Sequence, residues 1–208
     1  MSGGFLGLIR QTFLDPKGAA GQVIALRAGI SHEMLWGGVI AVALVNAVVA
    51  SLWMIMVPPP DELMQLYPRF VHSPVMLAVA EAGVMVTVIF ALHWAGRAFG
   101  GKGALWDVLA VLSWLVFVQA VARGALLIVT LAIPPLGSLA VTVLFFWGIW
   151  ILIAFVDRVH EFNSPLRAIG VLMTSFGLMV VGVMLLSLLI GVTGGGLMQA
   201  PGAGGALQ

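Results

Sequence analysis

The run of residues with the most chemical promise is Gly96-Arg97-Ala98-Phe99-Gly100-Gly101-Lys102-Gly103. It falls one residue short of the phosphate-binding loop pattern, with Gly103 where the hydroxyl that holds Mg²⁺ belongs. Such a loop works between a buried strand and a helix amino terminus, where backbone N–H groups converge on the phosphates. Here it lies between two long apolar runs. It therefore reads as a glycine-rich turn, and nucleotide binding is not expected.

A second set is titratable: His93, Asp107, Asp157, His160 and Glu161, all expected near one membrane face. Asp157 and His160 stand at i, i+3, so they share a helical face, a spacing that lets two side chains reach one divalent ion. The plainer reading is that these residues cap and solvate helix ends, and no metal or other cofactor is assigned. The chain contains no cysteine, which removes disulfides, thiolate metal sites and cysteine nucleophiles together. His32 and His72 have no partner visible in the sequence. No Ser-His-Asp order, HExxH motif or carboxylate dyad emerges, so no catalytic residue is assigned and an enzyme is not expected.

The third set is polar within otherwise apolar runs: Asn46, Glu81, Gln119 and Arg123. Polar groups cost free energy in lipid and face the interior of a bundle, where they bond to one another or serve a function. Glu81 lies seven residues beyond Pro74 and Arg123 eleven residues before Pro134, about 10 and 16 Å from the same face at a rise of about 1.5 Å per residue. An intramembrane ion pair between Glu81 and Arg123 is expected, with Asn46 and Gln119 forming interhelical hydrogen bonds. Ala43, Ala47 and Ser51 make a stripe of small residues that lets another helix approach closely, whether in the core or in an oligomer.

The elements that must position these residues are membrane helices. The chain has 208 residues, of which 62% are hydrophobic and only 8% charged, and a mean hydropathy of +1.15. Soluble domains carry about 25% charged residues. Five apolar segments approach or exceed the roughly 20 residues needed to span a bilayer: 34–57, 75–95, 108–133, 136–156 and 169–193. They are continuous runs rather than alternating strands, which predicts an all-α bundle of five transmembrane helices occupying 34–193. Pro58, Pro68, Pro74, Pro134 and Pro165 all fall between spans, and Pro134-Pro135 forces a tight hairpin between the third and fourth.

Residues 1–33 lack the apolar core of a signal peptide. Phe5, Leu6, Ile9 and Phe13 fall on one helical face with Arg10 and Lys17 off it, which predicts a short amphipathic helix. That helix lies either on the membrane surface or on the protein itself. Residues 194–208 are glycine-rich and uncharged and read as a flexible tail.

Orientation follows from the loops. Arg10, Lys17, Arg27, Arg97, Lys102, Arg158 and Arg167 fall on one side, and Arg69 alone on the other. The amino terminus is therefore expected in the cytoplasm and the carboxyl terminus outside. A formal charge of +1 gives no field that would attract nucleic acid, and none is expected as a partner.

The early Asp15-Pro16, the loop Gly96 to Gly103 leading into Leu105-Trp106-Asp107, and the exit Val156-Asp157-Arg158-Val159-His160-Glu161-Phe162 resemble bacterial members of the Yip family, named for Ypt/Rab-interacting proteins. The likeness runs from about Phe5 to Thr193. It implies a five-span protein of the bacterial inner membrane, with a periplasmic carboxyl terminus. Eukaryotic relatives are implicated in vesicle traffic through prenylated Rab GTPases, but this chain lacks their long polar arm. The expected function is thus a non-enzymatic scaffold, assembly or membrane-organising factor that binds membrane lipids, another membrane protein or a second copy of itself. The alternative is a small transporter or channel subunit with Glu81 and Arg123 lining a pathway.

Overall fold

Serine or proline marks where four of the five long helices begin, the helix that starts at Leu105 being the exception. The computed structural model describes residues 4–64, 67 and 73–197, and among these it contains eight helices and no strand. They are α1 (Phe5–Leu14), α2 (Pro16–Arg27), α3 (His32–Met56), α4 (Asp61–Met64), α5 (Pro74–Ala98), α6 (Leu105–Ala132), α7 (Pro134–His160) and α8 (Pro165–Leu197). Five of them, α3 and α5 to α8, are long and apolar enough to cross a membrane. Ser31 and Ser73 cap α3 and α5 by accepting from the Met34 and Met76 N–H groups at 3.3 and 3.4 Å.

Three spanning helices start earlier than their apolar runs suggest, because Pro74, Pro134 and Pro165 sit inside the first turn rather than before it. A first-turn N–H has no intrahelical acceptor, so proline costs nothing there. One residue, Ile133, separates α6 from α7. Gly137 makes that hairpin possible, since a Cβ there would lie 2.5 Å from the Thr130 Cα. The tail expected from 194 is helical through Leu197, and residues 198–208 lie outside the described residues. Arg69 and His72 do too.

In space, α3, α5, α8, α7 and α6 form a closed ring in that order, with α5 also touching α6 and α7 across it. Its core is concentrated at the end where the amino-terminal segment lies. Val39 of α3, Ile89 and Leu92 of α5, Leu109 and Leu115 of α6, Phe155 of α7 and Val171 of α8 are buried there. At the other end Val75 is 70% and Leu139 61% exposed. Apolar side chains facing lipid are not penalised, so van der Waals packing rather than burial from water must hold this bundle together.

The short amino-terminal helix expected from the sequence is present as α1, and it takes the second of its two expected places, on the protein itself. Asp15-Pro16 breaks the amino-terminal segment in two, and both halves pack on the protein: Leu8 and Thr12 of α1 and Ala19, Ala20 and Val23 of α2 are buried, α2 lying against α6 and α7. Of the face expected to carry the apolar contact, Phe13 packs against the core and the Phe5 ring lies against Trp114, while Leu6 is exposed. Ala43 and Ala47 are buried within the ring, so this part of the small-residue stripe is used in packing α3 against its own neighbours.

Candidate functional site

Asp15 begins the site by folding α2. Its carboxylate accepts from the Gly18 N–H at 3.1 Å, Pro16 follows at the first helical position, and Lys17 is thereby aimed out of the first turn. Lys17 forms an ion pair with Asp157 near the end of α7. Asp157 is only 2% exposed and uses both oxygens, Oδ2 toward Lys17 and Oδ1 to accept from the Ser164 N–H at 2.8 Å. At the other end of α2, Arg27 pairs with Asp107 in the first turn of α6, with Nε 2.9 Å from Oδ1. A carboxylate there also meets the positive end of the α6 dipole. A third tie joins α1 to α6, where Trp114 Nε1 donates to Thr12 Oγ1 at 2.9 Å.

The glycine-rich loop has a structural task. It wraps the His160 imidazole, which is 2% exposed. A Cβ on Gly101 would lie 2.7 Å from His160 Nδ1 and one on Gly103 2.8 Å from it, while one on Gly96 would overlap the ring outright. Gly100 takes a φ of 82°, a left-handed turn that glycine adopts without steric cost, and the Lys102 N–H then donates to the His160 carbonyl at 3.1 Å. Nδ1 of His160 and Nδ1 of His93 are both buried without a hydrogen-bond partner among the described residues.

The five titratable residues therefore do different things. Asp107 and Asp157 anchor α2, His160 fills the glycine cage, and His93 lies on α5 with a partly buried ring. Glu161 is exposed and takes a left-handed φ of 55°, which stops α7 and lets the Phe162 N–H reach the Asp157 carbonyl at 3.1 Å. Among the described residues no three His, Asp or Glu side chains converge on a point where a metal ion would sit.

The intramembrane set is looser. Among the described residues the ion pairs are Lys17–Asp157 and Arg27–Asp107, and Glu81 and Arg123 do not form one in this structure. The turn of α6 that carries Arg123 is engaged from α3 instead, its carbonyl accepting from Trp53 Nε1 at 3.1 Å. Asn46 is buried with Oδ1 unpartnered among the described residues, and Gln119 is half-buried facing Gly148 of α7.

What sequence reasoning missed is a groove of about 1540 Å³ between α1, α2, α3 and α6. Its walls are mostly apolar, from residues such as Leu8, Leu26, Leu35, Val42, Trp114 and Phe117. Its polar lining is Arg10, Gln11, Gln22, Arg27 and Ser113. Arg27 is held by Asp107, and Gln22 Nε2 donates to Gln11 Oε1 at 2.6 Å. Arg10 has no ion-pair partner among the described residues, and the Ser113 hydroxyl is buried with no hydrogen-bond partner there. No motif marks such a groove, because helices distant in sequence build it.

Residues 10–186 match the family model of the Yip1 domain, and the chain belongs to that family. It is a multi-pass helical membrane protein. The matched stretch includes the α2 anchors, the glycine cage and most of the groove lining. Comparison with curated proteins and with solved structures gives no match.

Proposed function

We propose that this Yip1-domain protein is a non-enzymatic scaffold or membrane-organising factor of a bacterial cytoplasmic membrane, acting by binding other membrane components. One observation carries the reading. Asp107, Asp157 and His160, which had the most potential for chemistry, are committed to fastening helices, while a large apolar groove beside them stays open. Glu81 and Arg123, the residues of the transporter alternative, do not line that groove.

The orientation has the amino-terminal end in the cytoplasm. The basic residues of the amino-terminal segment and of the loops α5–α6 and α7–α8 share one end of the ring, where Lys17 meets Asp157 and the Lys102 backbone meets His160. Arg10, Arg97, Lys102, Arg158 and Arg167 are exposed there, as the positive-inside rule expects of a cytoplasmic face.

Purification in mild detergent, with identification of every co-purifying protein and lipid, tests the binding role. A reproducible stoichiometric partner is the expected result, and a clean monomer without bound lipid would contradict it. Reporter fusions after Ala98 and Asn163 should report cytoplasm, and those after Pro60 and Gly202 the periplasm. The opposite pattern would overturn the orientation.

A further inference from the structure

We propose that the groove between α1, α2, α3 and α6 is a site for one anionic phospholipid of the leaflet on the amino-terminal side. The proposal rests on the membrane-binding reading above and gives it a ligand. The argument begins with size and depth. At about 1540 Å³ the groove exceeds the roughly 300–1,000 Å³ of an ordinary small-molecule pocket. Along α3 its lining runs from Met34 to Val42, and along α6 from Leu109 to Phe117. Each stretch is nine residues, or eight steps of about 1.5 Å, which makes about 12 Å. One leaflet contributes about 15 Å of a hydrocarbon core about 30 Å thick. The groove therefore starts near the helix ends and stops close to the bilayer centre, the reach of an acyl chain.

The polar groups decide which amphiphile. Of the two arginines in the lining, Arg27 is neutralised by Asp107, which leaves Arg10 as the cation without an ion-pair partner among the described residues. Arg10 is exposed, and its long stem can carry the guanidinium to headgroup level. An unpaired cation beside an apolar slot calls for a negatively charged headgroup, and a zwitterionic one would set its own cation against Arg10. Phe5 sits over the same wall, with its ring 5.5 Å from Trp114 and 5.7 Å from Phe117.

Two adjacent glycines make the site testable. A Cβ at Gly37 or at Gly38 meets nothing within 4 Å, so a side chain can leave either backbone position without a clash at its first atom, yet only Gly38 lines the groove. The experiment titrates delipidated full-length protein in neutral detergent with phosphatidylglycerol or phosphatidylcholine of identical chains, counting bound lipids by native mass spectrometry. The wild-type chain should hold one phosphatidylglycerol in preference to phosphatidylcholine. Gly38→Phe should abolish that tight site, and Gly37→Phe should keep it. Arg10→Gln, at an exposed position, should weaken phosphatidylglycerol about fivefold, the effect of one basic residue near an anionic surface, and leave phosphatidylcholine unchanged. Equal binding of the two lipids by the wild-type chain, or equal binding by Gly38→Phe and Gly37→Phe, would overturn the proposal. Because lipid is counted on the isolated chain, the result is independent of whether a protein partner co-purifies, so the site and the scaffold reading fail separately.

Discussion

The two ends of the helical ring are built differently. At the end that carries α1 and α2, all five spanning helices contribute to the core around Leu109 and Phe155, His160 is caged by glycines, and α2 is fastened across α6 and α7 by two ion pairs. At the opposite end the helices present Val75, Leu136 and Leu139 outward, and a tight contact is the α6–α7 hairpin at Gly137. Lipid tails are as apolar as these side chains and give the far end no reason to close. Polar contacts and close glycine packing can specify one arrangement in that solvent, and the near end is where they accumulate.

The largest effect should come from stranding the most deeply buried charge. Lys17→Met leaves the Asp157 carboxylate with the Ser164 N–H alone and should cost about 3 kcal/mol, at the low end for a broken buried pair because Lys17 is itself half exposed. Thermal unfolding in detergent would show it. Next comes the cage: Gly96→Ala drives a methyl group into the His160 ring and should cost about 2 kcal/mol, as overpacking does. Adding His160→Ala should recover part of that loss, and failure to do so would mean that the glycine serves something other than the imidazole. Thr12→Val removes the acceptor of the Trp114 indole and should cost about 1 kcal/mol.

The far half should answer weakly. Phe146→Ala, on a side chain facing lipid, should change stability by less than about 0.5 kcal/mol. A double-mutant cycle on Glu81→Gln and Arg123→Gln should return a coupling within about 0.5 kcal/mol of zero, as for residues that share no contact. A coupling several times larger would show that the two ends are held by similar means and would erase the distinction between them.

Most of the fold was legible because it depends on one-dimensional properties: the length of an apolar run, the proline that opens a helix, the side on which basic residues fall. The Asp15-Pro16 break was visible as well, but its consequence was not. Which face of α1 is buried depends on Trp114, a residue about a hundred positions away that offers Thr12 a hydrogen bond. The same holds for the glycine-rich loop, whose spacing resembles that of a phosphate cradle because both must bring backbone close to a bulky group. Only the approach of His160 from another helix reveals that the group is an imidazole of the chain itself. Asp107 and Asp157 were recognised as candidates, while Arg27 entered as loop charge and Lys17 as loop charge and as a residue off the apolar face of the first helix. Sequence spacing carries no sign that α2 would span the distance between their partners.

The central claim is that α2 belongs to the membrane bundle and is held there by buried charge, with the groove formed beside it as a result. The direct test is a double-mutant cycle on thermal stability with Lys17→Met and Asp157→Asn. Asp157→Asn removes the charge that Lys17 neutralises, so Lys17→Met should cost only about 1 kcal/mol in that background, giving a coupling of about 2 kcal/mol. If the two losses add to within about 0.5 kcal/mol, α2 is not anchored by this pair and the account of the near end is wrong.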